Sequence, residues 1–164
     1  MQSKAYPIAL GGMLAAGAVV LMGIGTILPV ATYAAPMLCM MVEQMVLKIC
    51  GSRIAWAWYG AVSVLSLLLA PDKEAAAVFL VLGYYPIVKP KLDRGKGRWL
   101  WKAILFNGSI LLLYWILLKV IGMEQLLSDF AGMGFAMYAL LLILGNVTFF
   151  FLDRLLGRKI TKKR

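Results

Sequence analysis

The sequence predicts an all-α membrane protein, a polytopic helical bundle of about six transmembrane helices. Of its 164 residues, 63% are hydrophobic, and the mean hydropathy is +0.87. A soluble domain of this length could not bury that much apolar surface in one core. The 17 lysines and arginines fall into a few short clusters, which long apolar runs separate. We therefore expect residues 1–164 to form a single integral membrane domain.

Six stretches approach the roughly 20 mainly apolar residues that a bilayer-spanning helix needs. In chain order these predicted spans are Ala5–Leu28, Ala31–Cys50, Ile54–Ala70, Ala75–Val88, Trp101–Ile121 and Phe130–Leu152. The third and fourth are separated only by Pro71-Asp72-Lys73-Glu74, which predicts a tight helical hairpin. The fourth is only about 21 Å long as a helix, so it needs flanking residues or local thinning of the bilayer. Five spans with a re-entrant fourth segment are the alternative.

The basic clusters lie in every second gap between the predicted spans. With both termini in the cytoplasm, 15 of the 17 basic residues lie on the inner side, and only Lys73 and Lys119 lie on the outer side. Positive residues resist translocation, so this distribution predicts a multi-pass protein of the cell membrane with cytoplasmic termini. The net charge of +10 is explained by topology and by contact with anionic lipid head groups. We expect no nucleic-acid partner.

The residues that the sequence lacks argue against an enzyme. It contains no histidine, which removes histidine-ligated haem, histidine metalloprotease motifs and Ser-His proteolysis. Glu43 is the one acid well inside a predicted span, whereas aspartyl chemistry needs two facing carboxylates. Cys39 and Cys50 lie about 16 Å apart along one helix, too far to bridge, and two lone cysteines make no metal site. We expect no catalytic residues, no metal and no cofactor.

The first predicted helix carries a stripe of small side chains. Ala5, Ala9, Gly12 and Ala16 fall near one line at 100° per residue, which leaves one face nearly flat. Flat faces allow close approach of another membrane helix, because packing drives association there. The stripe is a candidate docking surface for a partner subunit, and packing against helices of this same chain is an equally weighted interpretation.

Four polar side chains fall at comparable depth in the inner half of the predicted bundle: Glu43, Gln44, Asn107 and Asn146. An ionisable group at that depth is costly and is a candidate for function. A hydrogen-bonded clamp between helices is the favoured interpretation, since asparagine commonly ties spans together. Contact of Glu43 with an ion, a proton or a substrate is the alternative.

Aromatic and polar residues near the outer ends of the spans could line an outward-facing pocket. Aromatic faces with one or two polar groups suit a small, partly planar ligand. The candidate substrate-binding residues are Tyr33, Tyr114, Trp115, Lys119 and Tyr138. Tyrosine and tryptophan are also ordinary interfacial anchors, and we expect that role at the inner interface for Trp56, Trp58, Tyr59, Trp99 and Trp101.

The opening run Ile8-Ala9-Leu10-Gly11-Gly12-Met13-Leu14-Ala15-Ala16, together with six short helices and the positive-inside pattern, resembles the substrate-binding S-components of energy-coupling-factor transporters. Ala5-x-x-x-Ala9 is similar to the Ala-x-x-x-Ala contact that this family makes with its coupling subunit, and Gly12-x-x-x-Ala16 repeats the spacing. Gly83-Tyr84-Tyr85-Pro86-Ile87-Val88-Lys89 and residues 144–156 also resemble small uncharacterised bacterial membrane proteins.

The resemblance implies capture of a small micronutrient-like solute and transfer inward by a transmembrane coupling subunit and two ATPase subunits. The first alternative is a non-transporting membrane scaffold or assembly partner that uses the small-residue face. The second is a small independent carrier in which Glu43 is the coupling group.

Overall fold

The computed structural model describes residues 5–23, 31–95, 97–117, 119 and 135–157, and this part of the chain is helical without any strand. Its helices are α1 (Ala5–Gly23), α2 (Ala31–Cys50), α3 (Ser52–Leu69), α4 (Lys73–Leu82), α5 (Tyr85–Leu92), α6 (Arg98–Ile116) and α7 (Phe135–Gly157). The chain divides into two compact units, Met1–Gly122 and Met123–Arg164. The first unit therefore holds α1 to α6, and the second holds α7. The predicted all-α fold class is confirmed.

Four stretches of the described chain are long and apolar enough to cross a membrane: Thr32–Cys50, Ser52–Leu69, Lys73–Leu92 and Arg98–Ile116. A shorter apolar helix covers Ile8–Gly23, and residues 24–28 of the first predicted span lie outside the described residues. The stretch Lys73–Leu92 is 20 residues long, because the chain is helical beyond both ends of the fourth predicted span, Ala75–Val88. Its length of about 30 Å matches a bilayer core.

Two tight connections make neighbours of α2, α3 and α4. Gly51 alone separates α2 from α3, and its φ of 87° lies in the left-handed region that favours glycine. At the other end of α3, Ala70 has an extended backbone and Asp72 begins α4 as its N-cap. The hairpin predicted at Pro71-Asp72-Lys73-Glu74 is therefore present.

Helix α4 is the centre of the first unit, where it packs against α2, α3 and α6. Three consecutive alanines allow neighbouring helices to approach from several sides, and their side chains are fully buried. The buried residues of this helix are Ala75, Ala76, Ala77, Val78, Phe79, Val81 and Leu82. After its polar first turn, from Ala75 to Leu82, the helix is apolar on every side, as expected for a helix that neighbours cover all round.

Helix α1 packs against α2 and α3 through one face. Gly11 is buried, and its carbonyl oxygen accepts a hydrogen bond of 3.1 Å from Nε1 of Trp58. Further along, the Ala18 carbonyl accepts from the thiol of Cys39 at 3.6 Å. Trp58 is only 4% exposed, so the expectation that it anchors the protein at the membrane interface is wrong. Its indole instead fills the contact between α1 and α3, where its N–H finds a carbonyl.

The α4–α5 stretch is interrupted at Gly83 and Tyr84, which form a turn. Pro86 lies in the first turn of α5 and has no N–H, so the Leu82 carbonyl loses its i+4 backbone donor. Tyr59 from α3 lies against this break, and its hydroxyl donates a 2.5 Å hydrogen bond to the Leu80 carbonyl. Tyr59 therefore holds α3 against the broken helix, and its role as an interfacial anchor stays a prediction.

Gly83 permits the close approach of Tyr59. A Cβ at this position would run into the Phe79 carbonyl oxygen and would lie 3.0 Å from Cε2 of Tyr59. We expect Gly83→Ala to lower the free energy of unfolding by about 1–3 kcal/mol, because the added carbon overpacks the break. Thermal melting of the purified protein in detergent measures this loss.

Gly108→Ala is the matched control, since a Cβ on this exposed α6 glycine meets nothing within 4 Å. Alanine is the better helix former, so this variant should melt at or above the wild-type temperature. A Gly83→Ala variant that melts like the wild type would contradict the packing described for the break.

Candidate functional site

The hairpin between α3 and α4 holds a cluster of polar side chains. Asp72 caps α4, since its Oδ1 accepts from the Ala75 amide at 3.0 Å. Its second oxygen, Oδ2, accepts from the Thr32 hydroxyl at 2.8 Å, which ties the start of α2 to the start of α4. One carboxylate therefore satisfies a helix N-terminus and fixes two helix ends together.

The two residues after Asp72 extend this network. Tyr33 donates a 2.6 Å hydrogen bond from its hydroxyl to Oε1 of Glu74. Lys73 donates from Nζ to the Leu67 carbonyl at 2.7 Å, which satisfies a carbonyl in the last turn of α3. We call this group the hairpin cluster; its members are Thr32, Tyr33, Asp72, Lys73 and Glu74.

The structure brings together only some of the candidate substrate-binding residues. Tyr33 and Tyr114 both lie close enough to Glu74 to interact with its charge. Trp115 and Lys119 are exposed. The side chain of Tyr138, which lies on α7 in the second unit, is outside the described residues. The assignment of a solute to these residues stays a prediction.

Glu43 lies about 18 Å along α2 from the end of the helix that carries the hairpin cluster. Its side chain is 0% exposed, and neither carboxylate oxygen accepts a hydrogen bond from any described residue. A buried carboxyl group without hydrogen bonds is destabilising relative to an apolar side chain of similar size. The favoured interpretation of a clamp between helices therefore has no hydrogen bond at Glu43 to support it within the described part of the chain.

Two serine hydroxyl groups on α3 are also buried. Ser66 is 0% exposed, and its hydroxyl oxygen has no hydrogen-bond partner among the described residues. Ser63 is 1% exposed, and its hydroxyl lies within reach of the Tyr59 hydroxyl. Tyr59 lies near Ser63 on its own helix and is close enough to Glu43 to interact with its charge. Buried polar side chains from two packed helices therefore surround the Tyr59 position.

Tyr59 also connects Glu43 to the broken helix. Its ring packs against Gly83, and its hydroxyl bonds the Leu80 carbonyl. On the other side of the break, the hydroxyls of Tyr84 and Ser109 lie 3.0 Å apart, within hydrogen-bond distance. Hydroxyl groups from α3, from the turn before α5 and from α6 therefore lie close to the point where the helix is interrupted.

The other members of the predicted polar layer are less buried. Gln44 and Asn107 are half-buried, and Asn107 donates from Nδ2 to the Ala103 carbonyl of its own helix at 2.8 Å. Asn146 donates in the same way to the Leu142 carbonyl at 2.9 Å, on α7 in the second unit. These bonds satisfy one amide donor of each asparagine locally, and a shared layer of all four residues stays a prediction.

The small-residue face of α1 is exposed wherever its side chains are described. Ala9, Gly12 and Ala16 are exposed, and a Cβ on Gly12 would meet nothing within 4 Å. The side chain of Ala5 lies outside the described residues. The contacts of α1 with α2 and α3 use the opposite positions, among them Gly11 and Ala18.

Two lysines of the predicted cytoplasmic segment are buried. Lys89 and Lys102 are each 5% exposed, and both approach the Asp93 carboxylate, at 3.7 Å and 2.5 Å respectively. This arrangement ties α5 to α6 around one acid. Sequence reasoning treated these lysines only as topology determinants.

Sequence reasoning also missed the serines and tyrosines around Glu43. Ser63 and Ser66 are three residues apart and therefore share a helix face, and Tyr59 lies one turn before Ser63. That spacing was a readable signal that α3 carries a polar stripe. The orientation of this polar face toward α2 depends on how the two helices pack. The sequence of either helix alone therefore could not predict it.

Comparison with protein-family models, with curated proteins and with solved structures found no match to this chain.

The hairpin cluster gives a direct test of the site geometry. We expect Asp72→Ala to lower the free energy of unfolding by about 1–2 kcal/mol, because the Ala75 amide and the Thr32 hydroxyl both lose an acceptor. Thermal melting in detergent measures the effect. Asp72→Asn is the matched control, since asparagine caps helices as well as aspartate does. Equal melting of the alanine and asparagine variants would contradict the capping role.

Proposed function

We propose that this chain is a multi-pass protein of the cell membrane that captures a small solute for transport. The main support for a transport function is Glu43. Its carboxyl group is fully buried in an apolar helical unit and has no hydrogen-bond partner among the described residues. Ionisable groups at such positions mark ion and substrate pathways in membrane proteins. The four stretches that are long and apolar enough to span a bilayer are compatible with this location.

The orientation in this proposal has both termini in the cytoplasm. Its support is the distribution of basic residues, which are concentrated in alternate connections of the chain. In that orientation the hairpin cluster faces outward, and the Lys89–Asp93–Lys102 group faces inward. A solute would first meet Tyr33, Tyr114 and Glu74, which offer aromatic faces and one carboxylate.

The proposed partners are membrane lipids, a transmembrane coupling subunit and ATPase subunits, as in the S-components of energy-coupling-factor transporters. The support is the exposed face of α1, where Ala9, Gly12 and Ala16 leave room for close approach of a second helix. A short chain without a described nucleotide-binding loop would depend on such a module for energy.

A small independent carrier is the second candidate, and Glu43 favours it specifically. A single buried carboxylate can couple solute movement to a cation or a proton without any ATPase. This candidate differs from the first in one respect that can be measured, since a carrier transports when it is reconstituted alone.

Co-purification from the native membrane tests the docking surface. We expect tagged wild-type chain to recover a membrane subunit and ATPases, and Gly12→Leu to lose them, because leucine fills the flat face of α1. Mass spectrometry of the purified complex, with the ATPase rate as a second readout, measures the loss.

Gly108→Leu is the control, since this glycine is also exposed and also meets nothing within 4 Å. It should retain every partner. Recovery of an unrelated partner with no small molecule would support a scaffold instead. Solute uptake by the chain alone in proteoliposomes would support the independent carrier.

A further inference from the structure

Tyr33, Glu74 and Tyr114 place two aromatic side chains around one carboxylate, and we call these three residues the tyrosine–carboxylate group. The Tyr33 hydroxyl donates a 2.6 Å hydrogen bond to Oε1 of Glu74, which fixes the position of the ring. Tyr114 lies close enough to both Glu74 and Tyr33 to interact with them electrostatically. Tyr33 is 54% exposed and Glu74 is half-buried, so the group is accessible to a ligand.

The Glu74 carboxylate pairs with no cation in the described part of the chain. The ion pairs of the described residues that involve Lys89 and Lys102 use Asp93 instead. Lys73 is next to Glu74 in the sequence, but its Nζ donates to the Leu67 carbonyl of α3. A positively charged ligand would therefore find a partly buried carboxylate that accepts a hydrogen bond from Tyr33 and forms no described ion pair.

The surroundings of this carboxylate suit an organic cation better than a metal ion. Asp72 is the nearest other acid in the sequence, and both of its oxygens already accept hydrogen bonds. The described residues contain no group of three or more histidine, cysteine, aspartate or glutamate side chains that could hold a metal ion. Calcium and magnesium each take about six or more oxygen ligands. An ammonium group can pair with one carboxylate, and it is attracted to the faces of tyrosine rings.

We propose that the tyrosine–carboxylate group binds a small organic cation, whose ammonium group lies at Glu74 and whose apolar part lies against Tyr33 and Tyr114. The proposal rests on the proposed function, because it names the class of solute that the chain captures. Binding of a cation without uptake would contradict the transport proposal alone. Uptake of a neutral or anionic solute, without binding of a cation, would contradict this proposal alone.

Binding of three matched aromatic probes to the full-length protein in detergent tests the proposal. Benzylammonium carries a positive charge, benzyl alcohol is neutral and benzoate is negative. We expect saturable binding of one benzylammonium per chain, about tenfold or more tighter than benzyl alcohol, because hydrogen bonds to charged groups are the stronger ones. Equilibrium dialysis measures the affinities, and a blank with detergent alone corrects for partition into micelles.

Glu74→Gln separates the charge from the hydrogen bond, since a glutamine side-chain carbonyl can still accept from the Tyr33 hydroxyl. This variant should melt like the wild type and bind benzylammonium about tenfold or more weakly. Tyr114→Phe keeps the ring and should bind like the wild type. Tyr114→Leu removes the ring and should weaken binding by about two- to fivefold, the effect of a cation–π contact at an exposed site.

Two control variants lie at the opposite end of the unit. Asp93→Asn removes an acid, and Trp99→Leu removes an exposed aromatic ring; both should bind benzylammonium like the wild type. Equal affinity of the wild type for benzylammonium and benzyl alcohol, tighter binding of benzoate, or wild-type binding by Glu74→Gln would overturn the proposal. The comparison of the three probes uses the wild type alone, so it decides the proposal even if a variant does not fold.

Discussion

The contact of Tyr59 with the break between α4 and α5 is the constraint on which the first unit depends. Its ring occupies the space that only a glycine at position 83 leaves open, and its hydroxyl bonds the Leu80 carbonyl. The contact holds α3 against the interrupted helix at the level of Glu43. The same residue therefore stabilises the fold and defines one wall of the candidate site.

The carboxyl groups of Asp72 and Glu43 lie in opposite environments. Asp72 accepts bonds from the Ala75 amide and the Thr32 hydroxyl, so the cost of its partial burial is offset and it stabilises the junction of α2 and α4. Glu43 receives no such compensation from the described residues. An apolar side chain of similar size would avoid this cost, which is why Glu43 supports the proposed function.

Much of the fold could be predicted because membrane spans and connections have local signals. The run Pro71-Asp72-Lys73-Glu74 predicted the hairpin between α3 and α4. The site was predicted less completely. Glu43 stood out as a lone acid, but the positions of Ser63 and Tyr59 depend on the rotation of α3 against α2, which a segment's own composition does not encode. Trp58 was misassigned for the same reason, since only packing against Gly11 distinguishes it from an interfacial tryptophan.

Labelling of Glu43 by a hydrophobic carbodiimide is the most direct test of the claim that this carboxyl group is buried in the apolar interior of a membrane protein. The reagent enters apolar protein regions and modifies a protonated carboxyl group, and mass spectrometry locates the adduct. The account predicts that Glu43 reacts in preference to the carboxyl groups of Asp72 and Glu74 in the hairpin cluster. Equal reaction at all three, or no reaction at Glu43 while the others react, would contradict it.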